Sequence, residues 1–234
     1  MRVLALDTAT EACSVALLVN GECISRFAEL QRGHAEQILD MVDSVLAEAG
    51  IGLSGLDGIA ASIGPGAFTG VRISVAVAQG LAFGAGLGVV PVTTLEALGL
   101  AAMSVSARAL ACLDARMGEV YWGCFERHAT QGLITLSAPQ VGPASSVKWP
   151  GPNETPSQQD DIHGIGRGFA AYPELTHLGL VLDPGAANAL PNSHEIARLG
   201  VLRLKTGASL DPARLEPLYL RNQVALTEAE RGIK

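Results

Sequence analysis

The sequence predicts an α/β protein built from two related lobes, each a mixed β-sheet flanked by helices. Three observations carry the prediction: strand-period and helix-period segments that alternate through the first hundred residues, a strand-turn-strand pattern that returns half a chain later, and a composition dominated by small side chains. Of 234 residues, 48% are hydrophobic and 17% charged, with a mean hydropathy of +0.30. That is ample for a large core and excludes a mostly disordered chain. The 27 glycines stand beside 5 Phe, 2 Trp and 3 Tyr, so the core should be small and aliphatic, with many backbone positions that need glycine. The length fits one large domain or two small lobes.

In chain order, Val3–Asp7, Cys13–Val19 and Glu22–Glu29 read as three strands, the last two joined by Asn20-Gly21, a strong hairpin signal. A helix follows from His34 to Ala49. Its apolar positions Ala35, Ile38, Leu39, Val42, Val45, Leu46 and Ala49 recur at helical spacing, and Gly50 supplies the stop. Next come a strand over Leu56–Ser62, a helix over Thr69–Phe83, a strand over Leu87–Val92 and a helix from Thr94 to about Met103. This order implies a mixed sheet with helices on both faces.

Sliding the chain by 107 residues without a gap sets Leu6-Asp7 on Leu113-Asp114 and Val15, Leu17 and Leu18 on Trp122, Cys124 and Phe125. Both segments read strand, sharp turn after an aspartate, strand, which suggests duplicated lobes over residues 1–104 and 105–234. After Gln140 the pattern dissolves into loop chemistry: Pro143, Pro150, Pro152 and Pro156 with Ser145, Ser146, Ser157, Gln158, Gln159, Asp160 and Asp161. A helix is expected over 192–205, with Asn192 and Glu195 spaced as a capping pair and Gly207 beyond its end. That helix is free to pack back on the first lobe.

Sixteen Lys and Arg against 23 Asp and Glu give a net charge of -7, the wrong sign for a protein that grips nucleic acid by itself. Up to Ala107 the chain holds 10 acids and 4 bases, and beyond it 13 acids and 12 bases. Cys13, Cys23, Cys112 and Cys124 form no CxxC pair and read as buried free thiols. Asp7 interrupts what a signal peptide would make apolar, so a cytoplasmic location is expected. Ile73–Leu95 runs 23 residues without a charge, nominally a bilayer span. Gln79, Gly80, Gly84, Gly86, Gly88 and Pro91 break it up, so two buried elements of a soluble core are expected instead.

The segment Gly64-Pro65-Gly66-Ala67-Phe68-Thr69-Gly70-Val71-Arg72 joins a strand to a helix. It lacks the Lys-Ser/Thr of a P-loop and the GxGxxG of a dinucleotide fold. Two readings are open: an anion site made by backbone amides at the helix start, or a tight turn with Thr69 capping the helix and Arg72 tying the loop down. Asp7-Thr8-Ala9-Thr10 invites comparison with an Asp-x-Gly-x-Thr phosphate turn, but Ala9 stands where glycine would let a phosphate approach. Its counterpart, Asp114-Ala115-Arg116-Met117-Gly118-Glu119, has no hydroxyl. Candidate anion or nucleotide contacts are therefore Asp7, Thr8, Gly64, Gly66, Thr69 and Arg72. His34, His128, His163, His177 and His194 are scattered, with no HExxH pair, so no metal site is read. No GxSxG elbow marks a nucleophile.

A contact surface is legible as well. Ala76, Gly80 and Gly84 repeat at i, i+4 along the helix after the glycine loop, a smooth row that either packs within its own lobe or lets another helix come close. Glu36, Asp40, Asp43 and Glu48 on the His34 helix have no Lys or Arg among them, giving a solvated face or an acidic docking face.

Leu4-Ala5-Leu6-Asp7-Thr8-Ala9-Thr10, the segment Gly64–Arg72, Leu113-Asp114-Ala115-Arg116-Met117-Gly118-Glu119-Val120-Tyr121 and Pro217-Leu218-Tyr219-Leu220-Arg221 together resemble the bacterial TsaB (YeaZ) proteins. These motifs bracket nearly the whole chain, and the glycine segment is the most specific. The resemblance implies an actin-like, Hsp70/sugar-kinase-type fold. It also implies a non-catalytic role in transferring threonylcarbamoyl from threonylcarbamoyl-AMP to N6 of adenosine 37, in tRNAs reading codons that start with A. The implied partners are the catalytic subunit TsaD, which carries the metal-binding histidines, and the ATPase TsaE, with tRNA met only through the complex. No cofactor is expected on this subunit, ATP or ADP belonging to the complex. The expected seam with TsaD, or with a second copy when TsaD is absent, comprises His34, Glu36, Asp40, Asp43, Ala76, Gly80 and Gly84. Two alternatives stay open: a small kinase or nucleotide hydrolase of the same fold, and a metallopeptidase-like protein.

Overall fold

The computed structural model describes residues 1–150 and 161–221. Pro152, Pro156, Ser157, Gln158, Gln159 and Asp160 lie outside them. The first sheet has the order β3-β2-β1-β4-β5: β1 (Arg2–Asp7), β2 (Ala12–Val19) and β3 (Glu22–Glu29) form an antiparallel meander, and β4 (Gly58–Ser62) and β5 (Val89–Val92) add on in parallel. Helices α1 (His34–Ala49) and α2 (Phe68–Ala85) cover one face. The second sheet, β8-β7-β6-β9, repeats the opening: β6 (Arg108–Arg116), β7 (Glu119–His128) and β8 (Gly132–Pro143) are antiparallel, and β9 (Ile162–Ile165) joins β6 in parallel.

Strand periodicity divides the core. On β1, Leu4 and Leu6 face α1 and α2 together with Ile38, Val42, Ile59 and Ala78, whereas Val3 and Ala5 face the layer between the sheets. That layer holds α3 (Thr94–Ala102) and α5 (Ser193–Lys205), which bring Leu95, Leu98, Ile196 and Leu199 against Phe125. A third cluster, with Leu110, Trp122, Phe169, Leu175 and Leu178, seals the far face of the second sheet beside the short helix α4 (Gly168–Ala171).

Helix α5 follows the second sheet in sequence and packs on β1, β2 and β4 of the first. Ser193 fixes its start: its hydroxyl donates to the Ser14 carbonyl at 2.7 Å and its N–H to Ser14 Oγ at 3.0 Å, all buried. At the other end Arg203 donates to the Pro91 carbonyl at 2.6 Å and pairs with Glu96. Between them Gly200 sits so close to β4 that an added Cβ would be 2.7 Å from the Ala60 methyl. Each large aliphatic side chain buried there contributes roughly 1.5–3 kcal/mol.

The structure corrects several local expectations. Helix α2 begins at Phe68 with Ala67 as N-cap and no side-chain cap, so Thr69 does not cap it. The full capping box belongs to α3, where Thr93 and Glu96 satisfy each other's backbone. Asn192 caps α5 through the His194 N–H, and Glu195 bonds the His194 ring instead of completing a box. A bulge at Ala115 moves the β6–β7 pairing by one residue, so Leu113 faces Tyr121, whereas the gapless offset equates Trp122 with Val15, the partner of Leu6. Strand β8 extends past Gln140 to Pro143, where loop was expected. It is an edge strand, exposed enough to blur its alternation and tolerant of proline. Cys13, Cys112 and Cys124 are buried free thiols, whereas Cys23 is exposed.

The uncharged stretch resolves into the end of α2 and β5, but α2 is not fully buried. It is long and apolar enough for a span by composition, with mean hydropathy 1.3 over 18 residues, and only 33% of that window is buried. Its inward residues Val71, Ser74, Val75, Ala78 and Ala82 meet the sheet.

Gly200→Val should lower folding stability by roughly 2–3 kcal/mol, because α5 must lift off β4 to admit the side chain. Denaturant unfolding followed by circular dichroism measures it, and an unchanged midpoint would refute the packing.

Candidate functional site

The β1–β2 turn and the glycine segment are built against one another. Ala67 N–H donates to the Ala9 carbonyl at 2.7 Å, and the Thr8 hydroxyl donates to the Gly70 carbonyl at 2.7 Å. A Cβ on Gly66 would collide with the Ala9 carbonyl, and one on Gly70 with the Thr8 carbonyl. These glycines are therefore required by backbone-to-backbone approach.

This junction forms one wall of a cavity of about 920 Å³ between the two sheets. Thr8, Gly66 and Thr69 line it, as do His34, Asp114, Arg116 and Arg167. The other candidate anion contacts lie elsewhere. Asp7 is fully buried behind the turn. Gly64 is buried against Val71 and the Leu218 carbonyl. Arg72 does not line the cavity: its Nε donates to Tyr219 Oη at 2.7 Å and its guanidinium lies 3.7 Å from the Phe68 ring centroid. It ties Phe68, at the end of the glycine segment, to the chain at Tyr219.

Protein groups engage several polar atoms of both turns. Ala9 N–H donates to Asp7 Oδ1 at 2.9 Å and Ala12 N–H to Thr10 Oγ1 at 3.1 Å. In the second turn Asp114 accepts from Arg116 N–H at 2.7 Å, the Arg116 guanidinium at 2.8 Å and Tyr172 Oη at 3.1 Å. Arg116 and Met117 are held at φ of 64° and 57°, which aims the Arg116 side chain across the cleft to Glu11, 3.1 Å away. Arg167 crosses in parallel, 2.7 Å from Glu29 and 3.8 Å from Glu11. These pairs are partly exposed and each is worth at most about 1 kcal/mol. Together they orient the cleft walls. Sequence reasoning missed them because Glu11 and Arg116 stand 105 residues apart.

Asp7 is the most perturbed group of the junction. Its Oδ1 accepts from Ser62 Oγ and Ala9 N–H, while Oδ2 is buried without a hydrogen-bond partner. Burial raises its pKa to about 6, outweighing the hydrogen bonds from Ser62, Ala9 and Thr8 that pull it down. Burial likewise pushes the Cys13 thiol up to about 11 and Cys124 to about 12, far from nucleophile chemistry. Among the described residues no group of three or more His, Cys, Asp and Glu side chains is arranged to hold a metal ion. His34 Nε2 is 2.9 Å from the Thr10 carbonyl, so it belongs to the cleft and not to the outer face of α1.

The remaining seam residues share the outside of the molecule. Glu36, Asp40 and Asp43 are exposed on α1, and Ala76, Gly80 and Gly84 are exposed on α2. Nothing lies within 4 Å of a Cβ added at Gly80 or Gly84, so the small-residue row does not pack within its own lobe. Glu48 differs, since it pairs with Arg26. Two apolar side chains absent from the sequence assignment are exposed on these helices: Phe83 on α2, 82% exposed, and Leu39 on α1, 48% exposed. Phe83 lies three residues past Gly80, a helical spacing that would have exposed it to a pattern search.

These features define a class: a two-lobed protein of the actin-like, Hsp70/sugar-kinase fold, with interlobe turns tied up by its own side chains and a small-residue helix turned outward. The family model for TsaD, tRNA N6-adenosine threonylcarbamoyltransferase, matches residues 28–227. The chain is 38% identical to tRNA threonylcarbamoyladenosine biosynthesis protein TsaB of Haemophilus influenzae, covering 96% of this chain and 95% of that one. It is 37% identical to the Escherichia coli protein of the same name, covering 96% of each. YeaZ from Pseudomonas aeruginosa matches with a TM-score of 0.83 at 38% identity, covering 94% of this chain and 99% of that one. The chain belongs to the TsaB (YeaZ) family.

Because folding raises the Asp7 pKa from 3.8 to about 6, the folded state binds the proton more tightly than the unfolded chain. Stability from this group falls as pH rises from about 4 to 6 and is flat above, a penalty on the order of 3 kcal/mol. Asp7→Asn should recover roughly 2 kcal/mol at pH 7–8 and nothing at pH 4, the amide leaving one buried donor unpaired. Urea midpoints across that range check the sign; a gain greater at pH 4 than at pH 8 would refute it.

Proposed function

We propose that the protein is the accessory, non-catalytic subunit of a cytoplasmic tRNA threonylcarbamoyltransferase. It acts with the catalytic subunit TsaD and the ATPase TsaE to deliver threonylcarbamoyl from threonylcarbamoyl-AMP to N6 of adenosine 37, in tRNAs that read codons starting with A. The observation that carries this reading is the outward row Ala76, Gly80 and Gly84, bare above its glycines, with Phe83 exposed beside it on α2 and Leu39 exposed on α1. A helix surface of this kind lets a second helix approach closely and bury two apolar anchors. Glu36, Asp40 and Asp43 beside it favour a partner with basic groups at the rim. In the absence of TsaD the same seam serves a second copy of the chain.

The cleft supports the division of labour. The Ala9, Ala12 and Arg116 amides and the Asp114 carboxylate are engaged by the protein itself, and Ala9 stands where a phosphate turn would carry glycine, which disfavours a kinase or hydrolase that grips a triphosphate at these turns. Nucleotide therefore belongs to the assembled complex and not to this subunit alone. A metallopeptidase reading would need a ligand cluster that the described residues do not form. With a net charge of -7, tRNA is met through the partners rather than by this chain alone.

Two experiments test the proposal. Depleting the protein should abolish threonylcarbamoyladenosine in bulk tRNA, read by nucleoside mass spectrometry, and adding it back with TsaD and TsaE should restore it; unaltered modification would sink the assignment. Gly80→Trp should fold normally, since space above Gly80 is open, yet weaken assembly with TsaD at least about tenfold by calorimetry. Unchanged affinity in a folded variant would move the seam elsewhere.

A further inference from the structure

A second concavity of about 530 Å³ lies at the opposite end of β2 and β7 from the cleft. Leu18, Leu100, Met103, Val201 and Leu202 give it an apolar lining. Its charged and titratable lining residues are Arg127, His128 and Arg198, with no carboxylate among them, on a chain whose acids outnumber its bases. Arg127 is anchored by neutral groups: Nη2 donates to the Ser106 carbonyl at 2.8 Å and to the Met103 carbonyl. Its charge is thereby positioned without being compensated. Arg198 is exposed and makes no ion pair or hydrogen bond among the described residues. His128 Nδ1 accepts the Gln131 N–H at 3.3 Å, which leaves Nε2 as the protonated, donating nitrogen of the neutral ring.

We propose that this groove binds a small amphipathic carboxylate, its aliphatic chain on the Leu100, Met103 and Leu202 surface and its carboxylate between Arg127 and Arg198. An apolar floor alone would accept any hydrocarbon. Two guanidinium groups and an imidazole donor, with no acid to neutralise them, select one that ends in an anion. The volume suits a small molecule rather than a folded partner. The proposal is independent of the α1–α2 seam, which lies on the other face of the first sheet.

Titration of the full chain with octanoate, octan-1-ol and octylammonium, followed by amide shifts in ¹H–¹⁵N spectra and by calorimetry, tests it. Octanoate should bind once per chain, at least about tenfold more tightly than either control, with shifts confined to Leu18 and residues 100–104, 127–132 and 198–202. Arg198→Glu should weaken octanoate at least about tenfold and leave octan-1-ol unchanged. Ser104→Trp, a substitution at an exposed lining residue, should block both. Binding of octan-1-ol as tight as octanoate, shifts elsewhere, no effect of Arg198→Glu, or no saturable octanoate binding would each overturn the proposal.

Discussion

The contact on which the rest of the structure depends is the backbone junction between the β1–β2 turn and the start of α2. Ala67 N–H meets the Ala9 carbonyl, the Thr8 hydroxyl meets the Gly70 carbonyl, and Gly66 and Gly70 have no side chain because a carbonyl stands where a Cβ would be. The junction has two consequences. It occupies the turn where a related fold would admit a phosphate, and it fixes the axis of α2 so that Ala76, Gly80 and Gly84 face outward. The tight turn and the outward small-residue row thus follow from one packing arrangement. The burial of Asp7 behind the same turn is its cost, a carboxyl whose ionised form is only half satisfied.

The two lobes are joined by more than the loop between α3 and β6. Helix α5 crosses back to the first sheet, Arg116 and Arg167 reach Glu11 and Glu29 across the cleft, and the chain from Leu218, whose N–H donates to the Ile63 carbonyl, runs to Arg221, which pairs with Glu119 and donates to the Ala115 carbonyl. The surface ion pairs are individually weak; the apolar layer shared by α3 and α5 supplies the stabilisation, and the charges set the relative orientation.

Legibility in the sequence tracked local physics. Helix α1 was readable to the residue because its apolar period and Gly50 stop are both local, and the Asn20-Gly21 hairpin because the turn demands those residues. Strand β8 was missed because an edge strand with two prolines and an exposed face alternates poorly. Thr69 was misjudged as a cap because the glycine-rich approach moved the helix start to Phe68, and no sequence rule anticipates a carbonyl 58 residues away accepting the Ala67 N–H. The seam was half legible: the Ala76, Gly80 and Gly84 row has a helical period, but only the sheet position of α2 decides whether that row faces in or out.

By itself the sequence determined the element order, the duplicated strand-turn-strand unit, the acidic balance and the family motifs, since each is written in residues near one another in the chain. The tertiary structure alone decided that α5 belongs to the first sheet, that Asp7 is sealed away from the cleft, that Arg72 serves Phe68 and Tyr219, and that Arg116 and Arg167 are paired across the cleft. Each of those depends on groups brought together from distant positions, and the energies that choose among such pairings, close packing and desolvation, depend on the assembled shape and not on spacing along the chain.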